Sequence, residues 1–426
     1  MKLSKKGKGI LKWAFIITTS YFIITTLYFG HGNIDTKTGI TDFYWCGLDN
    51  YWKKNEPSGF LINEPYPTFL DGIDGPFVYG NKAFYVNRDS QLIEKKVASS
   101  RLIKVETDSK EFPGFSVQLR DSYPTEEFTH EMPKKLIAIS DIEGNLTGFY
   151  SFLLANKVID SEGNWIFGKG ALVLNGDFFD RGNQVTPLLW FIYHLENQAL
   201  KVGGKVHFIL GNHEVMNLNG DASHNDFKYI AVAKKISNET NWDKAILHLY
   251  GENSELGKWL RSKNIIEKIG SHIFVHGGLN KFHLQQKITL EEMNTIARKH
   301  FGKEIPLEKP NDQRIASIIS PINGPYWDRR LNLDWKVKWT YLFNGIDAEE
   351  TPQSDLNNIL KFYNSEKIII GHSMVDDIAA GYNNKVIKID VKHGQNSKSG
   401  HTKGLLIQNN IYYKINDLGD KIALFE

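Results

Sequence analysis

The stretch Ala171-Leu172-Val173-Leu174-Asn175-Gly176-Asp177-Phe178-Phe179-Asp180-Arg181-Gly182 runs from an unbroken apolar segment into two carboxylates and a guanidinium within one turn. An apolar run that stops at Asn-Gly-Asp reads as a buried strand ending where the chain turns outward, with Asp177 at the strand's carboxyl end. In open α/β sheets that edge is where ligands bind. A carboxylate there can bridge hard or borderline cations, and an arginine a few residues on can grip phosphate oxygens with its planar fork. The same letters alone also describe a turn with a surface ion pair, because short motifs match by accident. The surrounding sequence decides between the two.

From Lys134 onward, short β-branched or leucine-rich runs alternate with amphipathic stretches. The runs are Leu136 to Ile139, Ala171 to Leu174, Val206 to Leu210, His272 to Val275, Ile368 to Ile370 and Val386 to Ile389. Thr147 to Lys157 and Pro187 to Gln198 carry helical spacing between the first three, which predicts right-handed β-α-β units around a buried sheet and an α/β fold class. Asn225 to His300 is mostly helical in pattern apart from the His272 run, with Ile230 to Ile236 and Leu256 to Lys263 as helices, and reads as an insertion (225–300) over the site. The tail Gly404 to Phe425 predicts a hairpin turning at Asn409-Asn410.

Five of the runs stop at polar clusters of one chemical kind. They are Ser140-Asp141-Ile142-Glu143-Gly144-Asn145, the Gly176 to Gly182 turn, Gly211-Asn212-His213-Glu214, His276-Gly277-Gly278 and Gly371-His372-Ser373. Packing explains this poorly, since each cluster would leave polar groups at a sheet edge without partners. A dinuclear metal site gives all of them a role. On these motifs the chain resembles the calcineurin-like metallophosphoesterases, and within them the phosphoprotein phosphatase family with its signatures Gly-Asp-x-His-Gly, Gly-Asp-x-x-Asp-Arg-Gly, Gly-Asn-His-Glu and His-Gly-Gly. The last three stand here nearly letter for letter and in order, and the resemblance covers roughly Lys134 to Val391.

The resemblance implies a four-layer fold, a β-sandwich flanked by helices, with a two-metal centre at one edge. It makes Asp177 the bridge between two ions, Asp141 a ligand of the first, and Asn212, His276 and His372 ligands of the second. It makes His213 the catalytic histidine, oriented by Asp180, and Arg181 a phosphate-binding group. A later arginine also binds phosphate in that family, and Gly324-Pro325-Tyr326-Trp327-Asp328-Arg329-Arg330 has the context of bacterial members, which selects Arg329. The departure is Glu143, where the family has a histidine ligand. Either Glu143 ligates the first ion, whose harder oxygen donor favours Mn²⁺, Mg²⁺ or Fe over Zn²⁺, or it faces away and that site is weak. Mn²⁺ is the leading expectation for both divalent ions.

Glu214 reads as a support of its loop, and Asn145 as a supporting donor or a turn residue. His207, His272, His393 and His401 fit no ligand spacing and read as structural, and the tryptophans as core or lid packing.

The whole chain of 426 residues is 41% hydrophobic and 23% charged, an ordinary globular composition. Its charge is 51 minus 49, or +2. Lys2, Lys5, Lys6, Lys8 and Lys12 account for +5 of that, leaving a body of −3 with no nucleic-acid footprint. One cysteine, Cys46, excludes an intramolecular disulfide. After the lysines, Trp13 to Phe29 is uncharged and would reach about 26 Å as a helix, near a bilayer core of about 30 Å. It reads as an uncleaved anchor ahead of a cleaved signal peptide, and both place the body across the membrane from the lysines. For a bacterial chain that means an inner-membrane-anchored catalytic domain in the periplasm, or a secreted or periplasmic one after cleavage. Residues 31–133 show short strand-like runs and no catalytic constellation, and read as a β-rich preface or lid before the catalytic domain (134–426). The expected activity is metal-dependent hydrolysis of a phosphomonoester on a phosphoprotein. The alternatives are a hydrolase of small phosphate compounds, such as dinucleoside polyphosphates or sugar phosphates, and a non-catalytic membrane-tethered phosphate receptor.

Overall fold

The computed structural model describes residues 5–45, 47–48, 64–109, 111–303 and 312–425, so Cys46 lies outside the described part. Strands Lys135–Ile139, Ala171–Asn175 and Lys205–Ile209 pair in parallel, joined by the helices Leu146–Ala155 and Val185–Lys201. The tail completes this sheet. Lys403–Gln408 pairs antiparallel with Lys135–Ile139, and Ile411–Asn416 and Lys421–Ala423 follow it outward. The hairpin turns at Asn409 and Asn410, both with positive φ, as a two-residue turn between twisted strands requires.

A second six-stranded sheet runs Ala379–Gly381, Val386–Lys388, Lys367–Ile370, His272–Val275, Ile266–Ile269, Thr129–His130. The two sheets face one another through alternate residues. Leu136, Ala138, Val173 and Ile209 share one buried cluster with Ile269, Phe274, Ile369 and Ile387. The residues between them, Ile137, Ile139, Leu172, Leu174, Val206 and Phe208, join helix residues such as Phe152, Leu188 and Ile192 in the larger core. Each fully buried Leu or Ile contributes about 1.5–3 kcal/mol, so a one-residue slip in any of these strands forfeits burial on both faces. The result is the four-layer α/β arrangement, helices outside and two sheets within.

Three expectations change. The 225–300 insertion is not continuous, because Ile266–Ile269 and His272–Val275 pair with each other and, through His272–Val275, with Lys367–Ile370, and so belong to the second sheet. Its helices Phe227–Ser237, Trp242–Leu249 and Glu255–Arg261 bury their apolar faces in the main core, and none of their residues lines the cavity at the strand ends described below. The 31–133 region likewise supplies no cavity-lining residue among those described. Its strands Asp74–Tyr79, Leu102–Glu106 and Gly114–Gln118 pack on the helix Val185–Lys201, where Trp190 Nε1 donates to the Pro76 carbonyl at 2.8 Å. Its last strand, Thr129–His130, already belongs to the second sheet. Lastly, Trp190, Trp242 and Trp259 are core residues, whereas Trp335 and Trp339 stand exposed.

Candidate metal centre

The strand ends converge through backbone and glycine geometry. Asp141 N donates to the Gly176 carbonyl and Glu143 N to the Asp177 carbonyl, at 2.9 and 3.0 Å, so the first two clusters interlock. Glu214, fully buried, accepts four backbone N–H groups, from Gly211, Asp177, Phe178 and Phe179, at 2.7 to 3.3 Å. One carboxylate thereby holds the second and third clusters together. A Cβ at Gly211 would run into Asp177 Oδ1, and one at Gly371 would come within 2.6 Å of Asp141 Oδ2. Only glycine lets those strands approach. Asp141, Glu143, Asp177, Asp180, Arg181 and His372 all have positive φ. Such backbone costs about 1–3 kcal/mol per residue and persists where the surrounding structure over-determines it, typically at functional sites.

Asp141, Glu143, Asp177, Arg181, His213, Arg329 and His372 line one cavity of about 730 Å³. Asn212, His276 and Asp180 sit directly behind it, at most 2% exposed. His276 Nδ1 faces the Asn175 carbonyl at 2.8 Å, which turns Nε2 toward Asp177 Oδ2 at 2.9 Å and Asn212 Oδ1 at 3.2 Å. His372 Nε2 faces the Trp327 carbonyl at 3.0 Å, leaving Nδ1 without that partner. Donor atoms of Asp177, His276 and His372 lie within 4.8 Å of one another. All ten residues expected at the centre are therefore at, or directly behind, one place.

The electrostatics fit cations. Burial and the nearby Asp390 push the Asp141 carboxyl well up from its usual range. Burial lowers the basicity of His276, but Asp177 and Asp141 overcome it and raise the imidazole to about 10. Buried carboxylates crowded this closely need positive charge, and Asp141, Asp177, Asn212, His276 and His372 supply the mixed oxygen and imidazole donors that divalent transition ions take. Glu143 lines the cavity and is ion-paired with Arg181. It faces the site rather than away from it.

Arg329 Nη1 donates to the His372 carbonyl, while Arg330 turns inward to Asp328 Oδ2 at 2.7 Å. Of that arginine pair, Arg329 is the one in the cavity. His213 Nδ1 lies 2.7 Å from Asp180 Oδ2, and Asp180 Oδ1 accepts from Asn217 and Asn225 at 2.9 and 2.8 Å.

Against the family model for calcineurin-like phosphoesterases, residues 134–376 match. The chain belongs to that family. The family is one of phosphoesterases. It is 29% identical over 242 residues to Shewanella-like protein phosphatase 1 of Plasmodium berghei, covering 56% of this chain and 61% of that protein. It is 26% identical over 306 residues to Shewanella-like protein phosphatase 2 of Arabidopsis thaliana, covering 61% and 72%. Among solved structures it is similar to the cold-active protein-tyrosine phosphatase of a psychrophilic Shewanella species, at 29% identity and a TM-score of 0.70, covering 83% of this chain and all of that one. The chain thus spans about three fifths of the Plasmodium relative's length.

The cavity and the shell behind it also hold residues that the strand-end reading did not assign to the site. Asp390 lines it, its carboxyl raised to about 6 by burial, against the pull of His276 and with the push of Asp177. It follows the strand Val386–Lys388, so the same rule that marked Asp177 applied to it. His393 lines the cavity too, with Nε2 2.8 Å from the Ser140 carbonyl behind Asp141. Asn217, Asn225 and His224, whose ring stands edge-on to His213 at 5.1 Å, come from a helix and a loop without any motif signal.

Proposed function

We propose that the chain is a metal-dependent phosphomonoester hydrolase acting on phosphoproteins, with two divalent cations, Mn²⁺ first, held by Asp141, Asp177, Glu143, Asn212, His276 and His372. The observation that carries this reading is the His213–Asp180 pair placed at the edge of the Asp177, His276 and His372 cluster. When bound, the cations supply positive charge against phosphate oxygens and make a water acidic enough to attack near neutral pH.

The chain's own groups do the rest. Burial opposes protonation of His213, but Asp177 and Asp180 outweigh it and raise the imidazole of the metal-free chain to about 9. With Nδ1–H committed to Asp180, the Nε2–H is the proton available to the departing alkoxide. Arg329, seated on the His372 carbonyl, and Arg181, steered by Glu143, line the cavity and would meet the equatorial phosphoryl oxygens of a bound substrate. The names of the relatives as protein phosphatases support a phosphoprotein substrate.

The test compares phosphopeptides, dinucleoside polyphosphates and an aryl phosphate with added Mn²⁺, on wild type and His213→Ala. The expected result is kcat/KM at least tenfold higher on phosphopeptides. His213→Ala should lose roughly 10²–10⁴ in kcat on phosphoserine peptides, whose alkoxide needs a proton, and much less on p-nitrophenyl phosphate, whose nitrophenolate leaves without one. Higher turnover of the small phosphates, or an equal loss on every substrate, would sink the reading.

The helix Lys5–Phe29, of which Lys6–Tyr28 has the length and composition of a membrane span, supports a chain anchored by its amino terminus with the body opposite the lysines. Protease accessibility of the body in sealed, oriented membrane vesicles checks that placement. Digestion only from the lysine side would reverse it.

A further inference from the structure

The helix Trp335–Phe343, of sequence Trp-Lys-Val-Lys-Trp-Thr-Tyr-Leu-Phe, starts at the wall of the catalytic cavity. Its N-cap Asp334 lines that cavity and accepts from Lys336 N and Val337 N at 2.7 and 2.9 Å. Just before it, Asn332 Nδ2 donates to the Ser373 carbonyl at 2.8 Å, tying the helix entry to the loop that carries His372. The helix is therefore fixed in place beside the site.

It is apolar on two opposite faces. At about 100° per residue, Val337 and Tyr341 fall on one side, where they pack with Leu333, Ala348, Ile322 and Ile346. Trp335, Trp339, Leu342 and Phe343 fall in one stripe on the other side, 69%, 56%, 55% and 81% exposed. A single exposed Leu needs no explanation, but four large apolar side chains side by side on nine residues do. Lys336 and Lys338 flank the stripe, one on each shoulder, and both are exposed. The helix itself carries no carboxylate.

We infer that this stripe docks on the surface of an anionic lipid bilayer, holding the mouth of the catalytic cavity at the headgroups. Tryptophan rings favour the boundary between headgroups and acyl chains, and flanking lysines extend their stems along apolar surface while the ammonium stays among anionic headgroups. Charge complementarity thus selects an anionic lipid surface. The helix Lys6–Tyr28, only 6% of whose span window is buried within the fold, is a second and independent apolar feature calling for lipid. The inference draws on the reading of that helix as an anchor, but the site it assigns is separate.

The test uses the full chain with Cys46→Ser and Phe343→Cys, labelled at residue 343 with an environment-sensitive fluorophore and mixed with vesicles of phosphatidylcholine alone or with 30% phosphatidylglycerol. Flotation of the protein reports the anchor, and quenching of the label by nitroxide-bearing lipid reports docking. The expected result is quenching at least twofold stronger on the anionic vesicles, reduced severalfold by Lys336→Glu with Lys338→Glu while flotation persists. Protein that floats with an unquenched label in both compositions overturns the docking site and leaves the anchor standing. A label that responds to a phosphopeptide without vesicles, and not to vesicles, overturns it in favour of a peptide surface.

Discussion

His213 points Nδ1 at Asp180 Oδ2, 2.7 Å away, and holds Nε2 at the cavity, 3.8 Å from Asp177 Oδ2. A carboxylate only accepts, so the bond fixes the proton on Nδ1 and aims the other nitrogen at substrate. Asp180 is in turn clamped by Asn217 and Asn225. Replacing it with Asn keeps the shape and removes the charge that helps hold His213 up at about 9. Asp180→Asn should lower kcat roughly 10- to 100-fold with KM little changed. It should also move the alkaline limb of the kcat profile to lower pH, because the imidazole then loses its proton sooner. A pH–rate series on both proteins checks this.

Glu143 is raised to about 7 by burial, against the pull of Arg181 and with the push of Asp177. Its oxygen stands where a nitrogen donor is expected. Glu143→His should shift metal preference from Mn²⁺ toward Zn²⁺, read by competition binding to the metal-stripped protein. Unchanged preference would count against ligation.

Asp390 faces the same cavity as Asp141, within reach of the charges on His276 and Arg329. Asp390→Asn should weaken Mn²⁺ binding roughly 10- to 100-fold, as loss of a supporting carboxylate does. It should also raise the melting temperature of the metal-free protein by relieving repulsion with Asp141. Calorimetric titration and thermal melts measure the two effects separately.

His272 lies at the start of its strand, away from the cavity, with its Nε2 bonded to the Tyr412 hydroxyl. Burial and the nearby Lys367 hold its pKa down at about 4. The unfolded chain takes up that proton near pH 6.5, so this contribution is complete above about 6.5 and is lost as pH falls toward 4. The loss is at most about 3 kcal/mol. His272→Gln should flatten the fall of melting temperature between pH 7 and 4.5. A slope identical to wild type would contradict the assignment.

Much of this architecture was legible because buried parallel strands announce themselves as short apolar runs, and Asp141, Asp177, Asn212, His276 and His372 follow such runs directly. Asp390 obeyed the same rule, but His393 and Gly394 follow it at a spacing that none of the four signatures uses. Asn217 and Asn225 were not legible, since an amide on a helix or loop gives no hint that it will meet Asp180. Long-range pairing was also hidden. Nothing local in Thr129–His130 or Lys403–Gln408 says which strand each will join, and that choice moved the boundary of the catalytic sheet. The exposure of Trp335 and Trp339 ran against their hydrophobicity, which is why they read as core or lid packing.

The central claim is that Asp177 and the residues around it hold two cations that the hydrolysis requires. Phosphopeptide turnover by the metal-stripped protein, titrated with Mn²⁺, tests it most directly. The account predicts negligible activity without metal, a plateau at two equivalents for wild type, and no recovery for Asp177→Asn. Full activity in the stripped protein, or an Asp177→Asn protein that recovers like wild type, would contradict it.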